Sequence, residues 1–132
     1  MITYTFDVTV NVKLQEDNIR LVLSNAIEHC LRTWCHGIEV VDDANDPDVI
    51  SDIIKGKTLW FYSTKYMVHE LTLNAFIDGF RQWVCDGRDL FGIVQGNGSV
   101  VPELMDDNIG CDEILQYALF GRIVFDNEGR RI

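Results

Sequence analysis

Ile2, Tyr4, Phe6, Val8, Val10, Val12 and Leu14 alternate with Thr3, Thr5, Asp7, Thr9, Asn11 and Lys13. This period of two is the strongest constraint on the fold, because it is the signature of a strand with one buried face, and such a strand requires a sheet. The period then changes. Ile19, Val22, Leu23, Ala26, Ile27, Cys30 and Trp34 recur at i, i+3 and i+4, the spacing of an amphipathic helix, with a cap near Asp17 and Gly37 to end it.

Residues 38–41, IEVV, read as a short strand leading into the acidic stretch DDANDPD. Asp46 is the expected cap of a short helix with Pro47 at its first position and Gly56 after its end. TLWFYS and YMVHEL, separated by a polar turn at Thr64 and Lys65, read as a hairpin. Thr72 should cap a second long helix carrying Leu73, Phe76, Ile77, Phe80, Trp83 and Val84 on one face, with Gly87 beyond it. LFGIV and SVV flank Gly96, Asn97 and Gly98 and leave residues 88–110 between a hairpin and an irregular loop. A last helix starting near Asp112 and ending at Gly121, then RIVF as a closing strand, completes the order β-α-β-α-β-β-α-α-β. That order predicts one α+β domain over residues 1–132: a mostly antiparallel sheet with two long amphipathic helices packed on one face, plus shorter helices.

Composition limits the function classes. Hydrophobic residues make up 47% of the chain, enough for a core at this length. The segment after Met1 has no basic region, apolar run or small-residue cleavage site, so a secretory leader is not expected. No apolar run approaches the roughly 18 residues of a membrane helix. Four cysteines in a chain of this size point to reduced intracellular thiols and a cytoplasmic protein. With 21 acidic against 11 basic residues the net charge is -10, which disfavours direct nucleic-acid or anionic-membrane binding.

The segment HCLRTWCH, residues 29–36, carries the sharpest candidate chemistry. In one continuous helix, His29 and His36 would be about 10.5 Å apart along the axis, with Cys30 and Cys35 about 140° apart around it, so one metal cannot reach all four. The helical reading is preferred, with Cys30 as a small core hydrophobe, and neither metal nor cofactor is expected. A thiol nucleophile at Cys35 or Cys85 would need a histidine close in space, which adjacency to His36 does not provide. GIVQGNGSV lacks the pattern of a phosphate loop. Asp42, Asp43, Asn45, Asp46 and Asp48 lack the spacing of a calcium loop. Trp60, Tyr62 and Tyr66 are better explained by cross-strand packing than by base stacking, because no basic groove accompanies them.

What remains is the distribution of charge. Asp42, Asp43, Asp46, Asp48 and Asp52 form one acidic group, and Glu103, Asp106, Asp107, Asp112 and Glu113 form another. Such clusters either keep the protein soluble or imitate phosphates against a cationic groove. WCHGIEVV, HELTLNAFIDGFRQWV and ILQYALFGRIVF together resemble a family of small acidic proteins carried by phages and integrative elements of Firmicutes, although the tail NEGRRI lies outside that pattern. The resemblance implies a mobile-element accessory protein, a class that includes anti-CRISPR and other anti-defence inhibitors. The expectation is therefore a non-enzymatic inhibitor of a bacterial defence protein with a basic surface, such as a CRISPR effector nuclease. Asp42, Asp43, Asp46, Asp48, Asp106, Asp107, Asp112 and Glu113 would make the contact. Two alternatives stand beside it: a sponge for a small nucleotide signal using Arg81, Arg88 or Arg122 at a subunit interface, which leaves a homo-oligomer open, and a metal-dependent or thiol enzyme.

Overall fold

The computed structural model describes residues 2–5, 11–41, 43, 47–64, 67–105 and 108–132. Helix α1, Glu16–Arg32, opens on Gln15, whose N–H donates to Asn18 Oδ1 at 2.9 Å, so Asp17 lies in the first turn and is not the cap. Its stripe of Ile19, Val22, Leu23, Ala26 and Cys30 is buried as the spacing requires. Strand β1, Gly37–Val40, and the short helix α2, Val49–Ile54, follow. Asp48 caps α2 by accepting from the Ser51 N–H at 3.2 Å, and Pro47 precedes the helix instead of starting it. The expected cap Asp46 lies outside the described residues.

Strands β2, Leu59–Thr64, and β3, Met67–Leu71, form the expected hairpin, and the antiparallel sheet runs β1-β2-β3. Its register sets Val40 against Leu59 and Leu59 against Leu71, which aligns the buried side chains of all three strands into one face completed by Phe61. On the other face the Trp60 Nε1–H donates to Glu70 at 3.3 Å and the Tyr62 hydroxyl donates to Glu39. The hairpin aromatics thus pair across strands, while Tyr66 lies outside the described residues.

Helix α3, Leu73–Cys85, begins where Thr72 Oγ1 accepts from the Ala75 N–H at 3.1 Å and turns its apolar side, Phe76, Phe80 and Trp83, into the core. The chain then pairs across residues 96–98 through a single bridge between Val94 and Val100, forming no strand of its own. Helix α4, Ile109–Phe120, starts before Asp112 and ends on Gly121, whose φ of 73° is the left-handed conformation that glycine adopts without strain. Being apolar on most sides, α4 packs against α3, α1 and β3. The α+β architecture with an antiparallel sheet is as the sequence implies, but the two long helices α1 and α3 meet chiefly on α4 rather than side by side on the sheet.

Two expected strands are corrected where the described residues bear on them. Residues 2–5 have no regular structure, with Ile2 77% and Tyr4 83% exposed, and residues 6–10 lie outside the described residues. Farther on, Lys13 makes only an isolated bridge to Ser99. Alternation specifies two faces but no partner, so it cannot create a ladder alone. RIVF also fails as a strand, because the N–H groups of Val124 and Phe125 both go to Gln116 Oε1, at 2.8 Å each, instead of to another strand. No helix among the described residues is long and apolar enough to cross a membrane.

Candidate functional site

The acidic residues separate once their surroundings are seen. Asp43 and Asp48 are exposed in the segment between β1 and α2, while Asp42, Asp46, Asp106 and Asp107 lie outside the described residues. Asp112 is 2% exposed and therefore cannot serve as a surface contact, contrary to expectation. Its carboxylate accepts from Trp34 Nε1–H at 2.9 Å and from the Gln116 amide at 2.8 Å. Burial raises its pKa, against the lowering effect of those two donors. Glu113 is half-buried and already engaged: it accepts from Trp83 Nε1–H at 3.1 Å and forms an ion pair with Arg88, tying α3 and the following loop to α4. Asp52, counted with the first acidic group, is buried and lies 3.5 Å from Lys57 Nζ. The signal missed in the sequence is the spread of apolar residues around α4, with Cys111, Ile114, Leu115 and Tyr117 all buried, which leaves Asp112 on a covered side.

HCLRTWCH is not one continuous helix. α1 stops at Arg32, where Thr33 turns its hydroxyl back to His29 O at 2.9 Å. The chain then folds back so that the Cys35 N–H reaches Cys30 O at 2.8 Å. The premise that separated these side chains is thereby overturned, and Cys30 and Cys35 become buried neighbours. Hydrogen bonding to Cys35, together with burial, pushes the Cys30 thiol far up, and the same bond draws Cys35 down. The Cys35 thiol donates to Gly37 O at 3.3 Å, and His36 points outward into an exposed position. Among the described residues no group of three His, Cys, Asp or Glu side chains is arranged to hold a metal. The remaining thiol candidate, Cys85, is exposed at the end of α3.

The three arginines singled out for anion binding are not brought together. Arg88 is engaged with Glu113, Arg81 is exposed on α3, and Arg122 lies just beyond α4. Sequence reasoning missed a different pair: the β2–β3 register shifts between Tyr62 and Thr64, and the residue at that irregularity, Ser63, has its Oγ 2.8 Å from His69 Nε2. A bulge re-aims the side chain it carries, and no local sequence pattern announces one. Burial holds the His69 imidazole below its ordinary value, so it is neutral at pH 7. Comparison with family models, curated proteins and solved structures found no match to this chain.

Proposed function

We propose that this chain acts by binding, presenting carboxylates to the cationic groove of a protein partner. The family resemblance makes that partner a bacterial defence protein, with a CRISPR effector nuclease as the first case to test. The observation that supports this reading is the way charge is shared out. Ion pairs among the described residues engage Arg20, Arg32, Lys57, Arg88 and Arg130, while the whole chain carries 21 acidic against 11 basic residues. The chain's own bases are thus partly neutralised within the fold, and the surplus of negative charge is left to the surface. Such a field steers a cationic partner and weakens as salt screens it.

The contact is assigned to the segment holding Asp42, Asp43, Asp46 and Asp48 and to Asp106 and Asp107, with Asp112 and Glu113 withdrawn for the reasons given above. Asp43→Asn with Asp48→Asn is the informative double variant, because asparagine caps a helix about as well as aspartate and so removes charge without removing the α2 cap. At low salt it should bind the partner about tenfold more weakly, the effect of two exposed ion pairs at about 0.7 kcal/mol each. Its melting temperature should be unchanged. Equal affinity for the variant and the parent protein would remove this segment from the interface.

A further inference from the structure

The end of α4, the β2–β3 hairpin and the C-terminal residues line an open cavity of about 610 Å³. Among the described residues its polar wall consists of Thr33, His36, Ser63, His69, Arg122 and Arg131, with no carboxylate. In a chain of net charge -10, two guanidinium groups with no carboxylate among the described lining residues make a local inversion of sign. Neither Arg122 nor Arg131 forms an ion pair among the described residues, whereas the neighbouring Arg130 is held by Asp126 and Glu128. We propose that this cavity binds a phosphate or phosphoryl oxyanion, held by the Arg122 and Arg131 guanidinium groups, with Ser63 and His69 also lining it.

The wall is organised before any ligand arrives. Trp34 and Phe125 stack with ring centroids 5.1 Å apart, and Phe120 meets both edge-on. Gln116 fixes the backbone at Val124 and Phe125. Gly129 packs so closely on the end of α1 that an added Cβ would come within 2.6 Å of the Thr33 carbonyl carbon. The Ile132 N–H donates to Val124 O at 2.8 Å and Arg131 bridges Phe125, so the backbone carrying Arg131 is held against these anchored residues, which lowers the ordering cost of binding. A guanidinium presents parallel N–H donors matched to phosphate oxygens, and two of them are more than the negative ends of the nearby helices α1 and α4 require. Those helix ends provide the simpler explanation of Arg122 and His36, but they do not account for Arg131 or the Ser63–His69 pair.

Isothermal titration of the full chain with inorganic phosphate, adenosine monophosphate and adenosine tests the proposal. Both phosphate-bearing probes should bind, adenosine should not, and Arg122→Ala with Arg131→Ala should weaken binding at least tenfold. Arg81→Ala, on the exposed side of α3, should leave it unchanged. Tighter binding of adenosine monophosphate than of phosphate identifies a small phosphorylated organic ligand as the source, and equal binding identifies the free oxyanion. Absence of binding by either phosphate-bearing probe overturns the proposal, as does unchanged affinity in the double variant. A fall in melting temperature without loss of affinity assigns the arginines to the helix ends and overturns it too. The carboxylate surface is not used in this assay, so its outcome is independent of the proposed partner contact.

Discussion

Gly79→Ala is expected to destabilise the fold by about 2 kcal/mol or more, although alanine is the better helix former by about 1 kcal/mol in an ordinary helix interior. The reason is the closeness of α3 to α4. A Cβ built at Gly79 would lie 2.5 Å from both the Cα and the N of Ala118 and 2.8 Å from its Cβ. Two of those atoms are helix backbone and cannot rotate away, so the helices must separate, and forced overpacking of this kind costs about 1–3 kcal/mol or more. Ala118→Gly should not rescue the variant, since it removes only one of the three opposing atoms. Gly37→Ala is the control: nothing lies within 4 Å of its Cβ position, and stability there should change by less than about 0.5 kcal/mol. Urea unfolding of the three variants measures all of this. A neutral Gly79→Ala would mean that α3 and α4 are farther apart than described.

The second large effect belongs to Gln116. Its side chain is 1% exposed and uses both ends fully: the amide donates to Asp112 at 2.8 Å and to Phe125 O at 3.2 Å, while its oxygen receives the Val124 and Phe125 N–H groups. Gln116→Leu keeps the volume but deletes all four bonds and leaves the Asp112 carboxylate with a single donor. An expected cost of about 3–4 kcal/mol follows from stranding buried polar groups, at about 1–3 kcal/mol for each one left unpaired and less where water can enter. The loss should have a local signature, with amide exchange at Val124 and Phe125 accelerating more than at Phe61 in the sheet. Gln116→Glu is informative beside it, because glutamate still accepts from the two N–H groups but sets a second carboxyl against Asp112. It too should destabilise, and more severely as rising pH ionises both. Equal exchange across the chain in Gln116→Leu would show that the C-terminal residues do not depend on this anchor.

The parts of the fold legible in the sequence are those decided by neighbours a few residues apart. Thr72 with Ala75, Gly121 after Phe120, and the β2–β3 hairpin all follow from capping, left-handed glycine and alternation over short spans. What was illegible depends on distant partners. The alternation of residues 2–14 gives no hint of what would pair with it. RIVF loses its strand character only because Gln116, eight residues before Val124, takes its amides. Gly79 looks like a weakness inside a helical pattern until Ala118 is seen across from it.

The same division applies to function. The sign and size of the net charge are plain in the sequence, but burial turns Asp112 from a surface contact into a core acceptor, and an ion pair with Arg88 occupies Glu113. In HCLRTWCH the illegible point is the end of α1, where Thr33 leaves the helical conformation just before the buried Trp34 and the chain folds back. Ser63 and His69 were invisible because a shift in strand register, not a motif, sets them together.

Capture on the immobilised chain tests the partner contact most directly. Host lysate would be applied at low salt and eluted along a salt gradient, with the Asp43→Asn, Asp48→Asn variant run in parallel and each eluted protein assayed for its own nucleic-acid binding. A nucleic-acid-binding protein that elutes steeply with salt, elutes earlier from the variant, and loses its nucleic-acid binding when the chain is added back is the expected result. Retention that is indifferent to salt and to the loss of both carboxylates would contradict it.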